Sequence, residues 1–193
     1  PRMSQLNKNY SYWQEFYEQS WRLRAHWMTE RIREGERHPL RIIRQLSAFE
    51  RFHTIQDVNG SIEYVAKPIP GYSGNVQRQG AGLELLNKES NIFPTGIEIG
   101  HLVPVIDEYQ KIPTYYDQAI SSFLVDYLNQ HEFDAVVELG GGYGRNLVEL
   151  FYLGGPKLPY FSGEFTHYGN ECAQLLAELD PDFNLKCFHF DHT

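Results

Sequence analysis

The sequence is short of several things, and each shortage narrows the possibilities. Cysteine occurs only twice in 193 residues, at Cys172 and Cys187. That is too few for a disulfide-stapled scaffold. Cys172 falls in a helix-like pattern and Cys187 in a strand-like one, which predicts two free thiols in a reducing compartment. No apolar run approaches the ~20 residues that a membrane-spanning helix needs. No basic start followed by an apolar centre marks a secretory leader. The expectation is a cytoplasmic protein with no membrane partner. Basic charge is scarce as well: 17 Lys and Arg face 25 Asp and Glu, a formal net charge of −8. Nucleic-acid binding through overall positive charge is disfavoured. What is present is 41% hydrophobic and 15% aromatic, enough for a packed core. The length suits one domain, or one domain with an extension. The chain begins at Pro1 rather than Met and stops at Thr193 just after an apolar run, which suggests a piece of something longer.

Charge is unevenly spread. Residues 1–60 carry a net of +3 and residues 61–193 a net of −11. The first part reads as helix: Tyr10, Trp13, Tyr17, Trp21, Arg24 and Met28 recur every three or four residues. Ile42, Ile43, Leu46, Phe49 and Phe52 repeat the pattern, with Gly35 and Pro39 punctuating the gap. The aromatic stripe predicts a face packed on the core. Arg22, Arg24, Arg31, Arg33, Arg37, Arg41 and Arg44 read as solvated helix faces. Residues 53–66 read as a hairpin, because Asn59-Gly60 suits a two-residue turn with positive φ at both positions. Asn59-Gly60-Ser61 also matches a glycosylation acceptor, which means little without a secretory leader. Residues 67–82, with Pro68, Pro70, Gly71, Gly74, Gly80 and Gly82, read as loop. Ile97-Glu98-Ile99 and Leu102-Val103-Pro104-Val105 suggest an extended segment.

From Pro113 onward the pattern changes. Ile120, Phe123, Leu124, Tyr127 and Leu128 form a helical stripe. Residues 133–139 read as a strand buried on both faces. A glycine turn follows, then a helix over 146–153, closed by Gly154-Gly155-Pro156. A second strand is expected over 160–165, a second helix over 168–179, and a third strand over 183–190. This β-α-β-α-β order implies an α/β fold with a parallel sheet. The division predicted is a helical and hairpin region over 1–112 and a partial cofactor-binding domain over 113–193.

The sharpest motif is Glu138-Leu139-Gly140-Gly141-Gly142-Tyr143-Gly144, between a strand and a helix. Gly140, Gly142 and Gly144 permit a tight turn and allow a ligand to approach the backbone. Glu164, twenty residues beyond Gly144, ends the second strand, where a carboxylate can accept both hydroxyls of a ribose. Asp191 follows the third strand, within reach of an adenine amino group.

This constellation resembles the class I S-adenosylmethionine-dependent methyltransferases. The matching residues are Val137 to Gly144, Glu164 and Asp191, and the resemblance covers residues 115–193. It implies a Rossmann-like parallel sheet, of which only the first three strands are in view, as if truncated. It implies S-adenosylmethionine as cofactor, with Glu138 and the loop Gly140, Gly141, Gly142, Tyr143 and Gly144 at the methionine end. Glu164 would bind the ribose and Asp191 approach the adenine. The wording Val-Val-Glu-Leu-Gly-Gly-Gly-Tyr-Gly-Arg-Asn, after a long N-terminal extension, is most similar to the putative sugar O-methyltransferases. The expected activity is therefore methyl transfer to an oxygen of a small-molecule acceptor, a sugar or a glycosylated small molecule, with a homo-oligomer as one option for its assembly.

Neighbouring readings fare less well. A nicotinamide-binding Gly-x-Gly-x-x-Gly fails because Arg145 stands sixth from Gly140. Aminopropyltransferases have a similar fold but usually place Asp where Tyr143 stands. A non-catalytic scaffold is the alternative from another class, favoured if the chain's own side chains fill the crevice. No catalytic residue is assignable. His167, His189 and His192 are candidate bases. His189, Asp191 and His192 do not make a convincing metal set. Tyr115 and Tyr116 are candidate covers for the cofactor.

Overall fold

The computed structural model describes residues 2–67, 102–107, 112–117 and 119–191. The first region is a 32-residue helix, α1 (Arg2–Arg33), and a second helix, α2 (Pro39–Phe52). Gly35 takes φ +105° in the break between them. Pro39 opens α2, where its missing N–H costs no helical bond. The expected hairpin follows as β1 (His53–Val58) and β2 (Ser61–Ala66), paired antiparallel with Val58 opposite Ser61. Asn59 and Gly60 both adopt positive φ, as the two-residue turn requires.

A second antiparallel hairpin, β3 (Leu102–Asp107) with β4 (Ile112–Asp117), was not expected in full. Tyr115 and Tyr116 are strand residues of β4, opposite Pro104 and Val103, rather than a lead-in to the next helix. The loop reading of 68–82 and the extended reading of 97–99 lie outside the described residues.

The α/β part begins with α3 (Ala119–Gln130) and continues as β5 (Val136–Leu139), α4 (Arg145–Tyr152), β6 (Tyr160–Glu164), α5 (His167–Ala177) and β7 (Leu185–His189). The three strands form one parallel sheet in the order β5-β6-β7. The architecture is thus mixed α/β, with five helices, a parallel three-stranded sheet and two antiparallel hairpins among the described residues. Both cysteines are free, Cys172 in α5 and Cys187 in β7. Burial pushes the Cys172 thiol well above its usual range and the Cys187 thiol up to about 11.

The two parts share one core. Ala25, Trp27 and Met28 of α1 and Ile42, Ile43 and Leu46 of α2 pack in the same cluster as Leu147, Val148, Tyr160, Cys172 and Leu176. Such burial supplies most of the stabilisation. Polar groups reinforce the seam. Arg24 is not a solvated face residue: its Nε pairs with Glu50 at 2.8 Å and its guanidinium lies 4.4 Å from the centre of the Trp21 ring. Arg31 is buried too. Glu149 of α4 joins three helices: it accepts from Ser121 of α3, pairs with Arg145 Nε at 2.8 Å, and feels the charge of Arg44 of α2. Burial raises its pKa to about 7 against the pull of Arg44.

The first strand departs from expectation. A strand buried on both faces was predicted, yet Val137 and Leu139 are each 57% exposed. β5 is an edge strand among the described residues, and its far side meets no other strand there.

Candidate functional site

The glycine loop runs from β5 into α4 at the carboxyl end of the sheet. Its N–H groups are largely committed within the chain. Gly140 and Gly141 donate to the Gly163 carbonyl at 2.8 and 3.2 Å, tying the loop to β6, and Gly144 donates to Gly141. Gly142 donates to Glu164 Oε2 at 3.0 Å. The loop therefore offers little as a phosphate cradle.

The glycines make room for different things. A Cβ on Gly142 would lie 2.6 Å from the indole of Trp21, and the residue holds φ +56°. A Cβ on Gly144 would meet Ala173 and Leu185, so this glycine lets α5 and β7 approach. A Cβ on Gly141 would lie 2.8 Å from Ser162 Oγ and 3.0 Å from Glu138 Oε2. Only Gly140, within this loop, faces open space. The expected clearance for a ligand is thus confined to Gly140. At Gly142 and Gly144 the clearance is used by the chain itself.

The side chains divide in the same way. Glu138 lies on β5 opposite Ser162 of β6. Its Oε1 accepts from Asn146 Nδ2, while Oε2 is buried and has no hydrogen-bond partner among the described residues. The Ser162 hydroxyl is equally buried and unpartnered. Desolvation raises the Glu138 pKa, opposed by the Asn146 bond. Both oxygens lie close to Gly141, and neither makes a hydrogen bond among the described residues. Leaving such groups unpaired is costly.

Glu164 is placed differently. It is 3% exposed, and both its oxygens are in use. Oε1 accepts from the Thr166 N–H at 3.0 Å and the Thr166 hydroxyl at 2.7 Å, and Oε2 accepts from Gly142. In this arrangement it braces the loop and the turn into α5 and is not presented to a ribose. Tyr143 is also turned inward. Its side chain is buried against Trp21 at 5.5 Å between ring centres and hydrogen-bonds Ser47 of α2. Burial pushes its phenol up. It is a bolt between the loop and the N-terminal helices rather than a ligand contact. Asp191 is exposed at the end of β7. Among the candidate bases, His167 and His189 are exposed, and His192 lies outside the described residues.

Four contributors were not singled out from the sequence as site residues. Glu18 of α1 accepts from the His167 and Tyr168 N–H groups at 2.9 and 3.2 Å, capping α5. Trp21, read only as core, closes over Gly142. Ser162 looked like any small strand residue. Only Asn146 carried a local signal, since it sits in the first turn after the loop. The aromatic stripe itself splits: Trp21 and Met28 pack inward, as expected, but Trp13 and Tyr17 are exposed.

No group of three or more metal-ligating side chains occurs among the described residues, and no helix there is long and apolar enough to cross a membrane. In comparisons with known proteins, no family model, no curated protein and no solved structure matches the chain.

Proposed function

We propose that the chain is the cofactor-binding part of a Rossmann-like, S-adenosylmethionine-dependent methyltransferase that acts on an oxygen of a small acceptor such as a sugar or a glycosylated small molecule. The observation that carries this reading is the buried pair of Glu138 Oε2 and Ser162 Oγ beneath the loop. A carboxylate oxygen and a hydroxyl oxygen, both left without a partner, can each accept from a cationic, multiply donating group such as an ammonium. The amino-acid end of S-adenosylmethionine carries one. Further support comes from the order of elements, with parallel strands and a glycine loop at their carboxyl ends. The fit is good at this end and poor at the other, because Glu164 is covered and its oxygens are occupied.

When bound, the cofactor supplies a methyl group on a positively charged sulfur. Glu138 and Ser162 would hold the ammonium, and Asn146 would fix the carboxylate. Transfer by in-line displacement asks the protein mainly to position the reactants. Calorimetric titration with S-adenosylmethionine tests this. Binding is expected, weakened at least about ten-fold in Glu138→Gln, which forfeits a charge-assisted bond. Tight binding of NAD in its place, or no binding at all, overturns it.

A second reading has its own observation. Trp21 against Gly142 and Glu18 on the start of α5 fill the β6 side of the crevice with the chain's own side chains. This favours a non-catalytic scaffold, and absence of any nucleoside binding in the wild type would support it.

A further inference from the structure

We propose that α1 is an autoinhibitory strap on the cofactor site: Glu18 and Trp21 hold its ribose end shut, and S-adenosylmethionine binds by displacing them. The inference rests on the methyltransferase reading and concerns the regulation of that same site.

Both contacts come from one helix and meet at one acid. The Trp21 indole occupies the space beside Gly142, where a Cβ would approach it to 2.6 Å. The Gly142 N–H is given to Glu164 Oε2 at 3.0 Å, so Trp21 lies over the link between loop and acid. Glu18 works from the other end. Glu164 Oε1 accepts from the Thr166 N–H and hydroxyl. The Gly169 N–H goes back to Thr166 Oγ1 at 3.2 Å, and the His167 and Tyr168 N–H groups between them go to Glu18. Loop, acid, helix start and α1 thus form one continuous run of contacts. A ribose reaches the buried Glu164 only after that run opens.

The cover is separable from the fold. Tyr143 shares the Trp21 contact but is buried and bonded to Ser47, so it cannot leave without opening the core. Glu18 and Trp21 are only half-buried. The hold on α1 also changes along its length. Ala25, Trp27, Met28 and Arg31 are buried, whereas no residue from 11 to 19 is. Ser20 marks the change, and its hydroxyl donates back to the Phe16 carbonyl at 2.6 Å. Such back-bonding favours a bend in a helix. A bend there carries Glu18 off α5, and rotation of the Trp21 side chain then clears Gly142. A site that must open first shows an apparent affinity lowered by its open fraction.

Two measurements on the whole chain with S-adenosylmethionine decide the matter. In calorimetric titration, Glu18→Ala removes both bonds to α5 and should bind at least about five-fold more tightly than the wild type. Glu15→Gln makes the same change of charge on the same half of α1, without touching α5, and should bind as the wild type does. In amide exchange of the wild type, saturating cofactor should speed exchange at His167 and Tyr168, the two N–H groups that Glu18 holds, while slowing it in the glycine loop. Glu18→Ala binding no tighter than the wild type, or Glu15→Gln tightening equally, overturns the strap and leaves the methyltransferase reading standing. So does exchange at His167 and Tyr168 that cofactor leaves unchanged or slows. Should Glu18→Ala fail to fold, that wild-type exchange decides by itself. Absence of binding in the wild type and both variants overturns the methyltransferase reading, and the strap with it.

Discussion

The two sides of the parallel sheet differ in what covers them. On the β6 side, α1 lies across the carboxyl ends of the strands. Trp21 closes over Gly142, Glu18 caps α5, and Tyr160, Ser162 and Glu164 are all buried. On the β5 side no helix or strand takes that place among the described residues, and Val137 and Leu139 stand in solvent. Strands of similar apolar character therefore have opposite surroundings. The difference teaches that burial here is a property of the neighbour, not of the strand. It also teaches that the closed side is held by a few specific contacts, each of which is a place to break it.

The largest effect is expected at Gly142. Gly142→Val forces a β-branched residue into positive φ and drives its side chain into Trp21. The expected loss is about 3–5 kcal/mol, read by urea denaturation. Adding Trp21→Ala should not rescue the backbone strain but should return part of the packing loss, so a double-mutant cycle separates the two. A Gly142→Val chain as stable as the wild type would mean that α1 does not close this side.

Next comes Glu149, which ties the closed side to α3. Its folded pKa of about 7 lies above the ordinary carboxylate value. An acid raised on folding binds more protons in the native state, so stability falls as pH rises. The full contribution is present below the unfolded pKa, around 4.3, and is lost by the time the pH has passed 7. The expected fall is at most about 4 kcal/mol. Glu149→Gln should flatten this part of the pH profile. A wild-type profile already flat between those limits would contradict the assignment.

Glu18→Gln should cost about 1 kcal/mol, the size of one cap with its charge, and should raise amide exchange at the start of α5. The smallest effect belongs to the open side. Val137→Thr is expected to change the stability of the monomeric chain by less than about 0.5 kcal/mol, as surface substitutions do. A much larger loss at low protein concentration would show that β5 is covered after all.

Much of the fold was legible in the residues because the relevant signals are local. Asn59-Gly60 demands positive φ, and the hairpin register follows from it. Alternating apolar runs and helical stripes from Phe133 to Phe190 gave the β-α-β-α-β order, with boundaries off by a few residues at strand starts. The second hairpin was missed in part, since Pro104 and Pro113 weaken a strand signal that pairing restores. The arginines misled because charge usually means solvent, whereas Arg24 and Arg31 carry long apolar stems into the seam between helices.

The site was legible only as a set of residue types. The loop glycines announced a tight turn at the end of a strand, and that much is a matter of backbone sterics. What each missing Cβ makes room for depends on segments far away in sequence. Trp21 reaches Gly142 across about 120 residues and Ser162 meets Glu138 across a strand pairing. By itself, the sequence determined the first hairpin, the order of strands and helices from Phe133 onward, and the presence of acids at Glu138 and Glu164. Only the tertiary structure decided that Glu138 keeps an unpaired oxygen while Glu164 spends both of its own, because hydrogen-bond satisfaction is settled by what packs against a group.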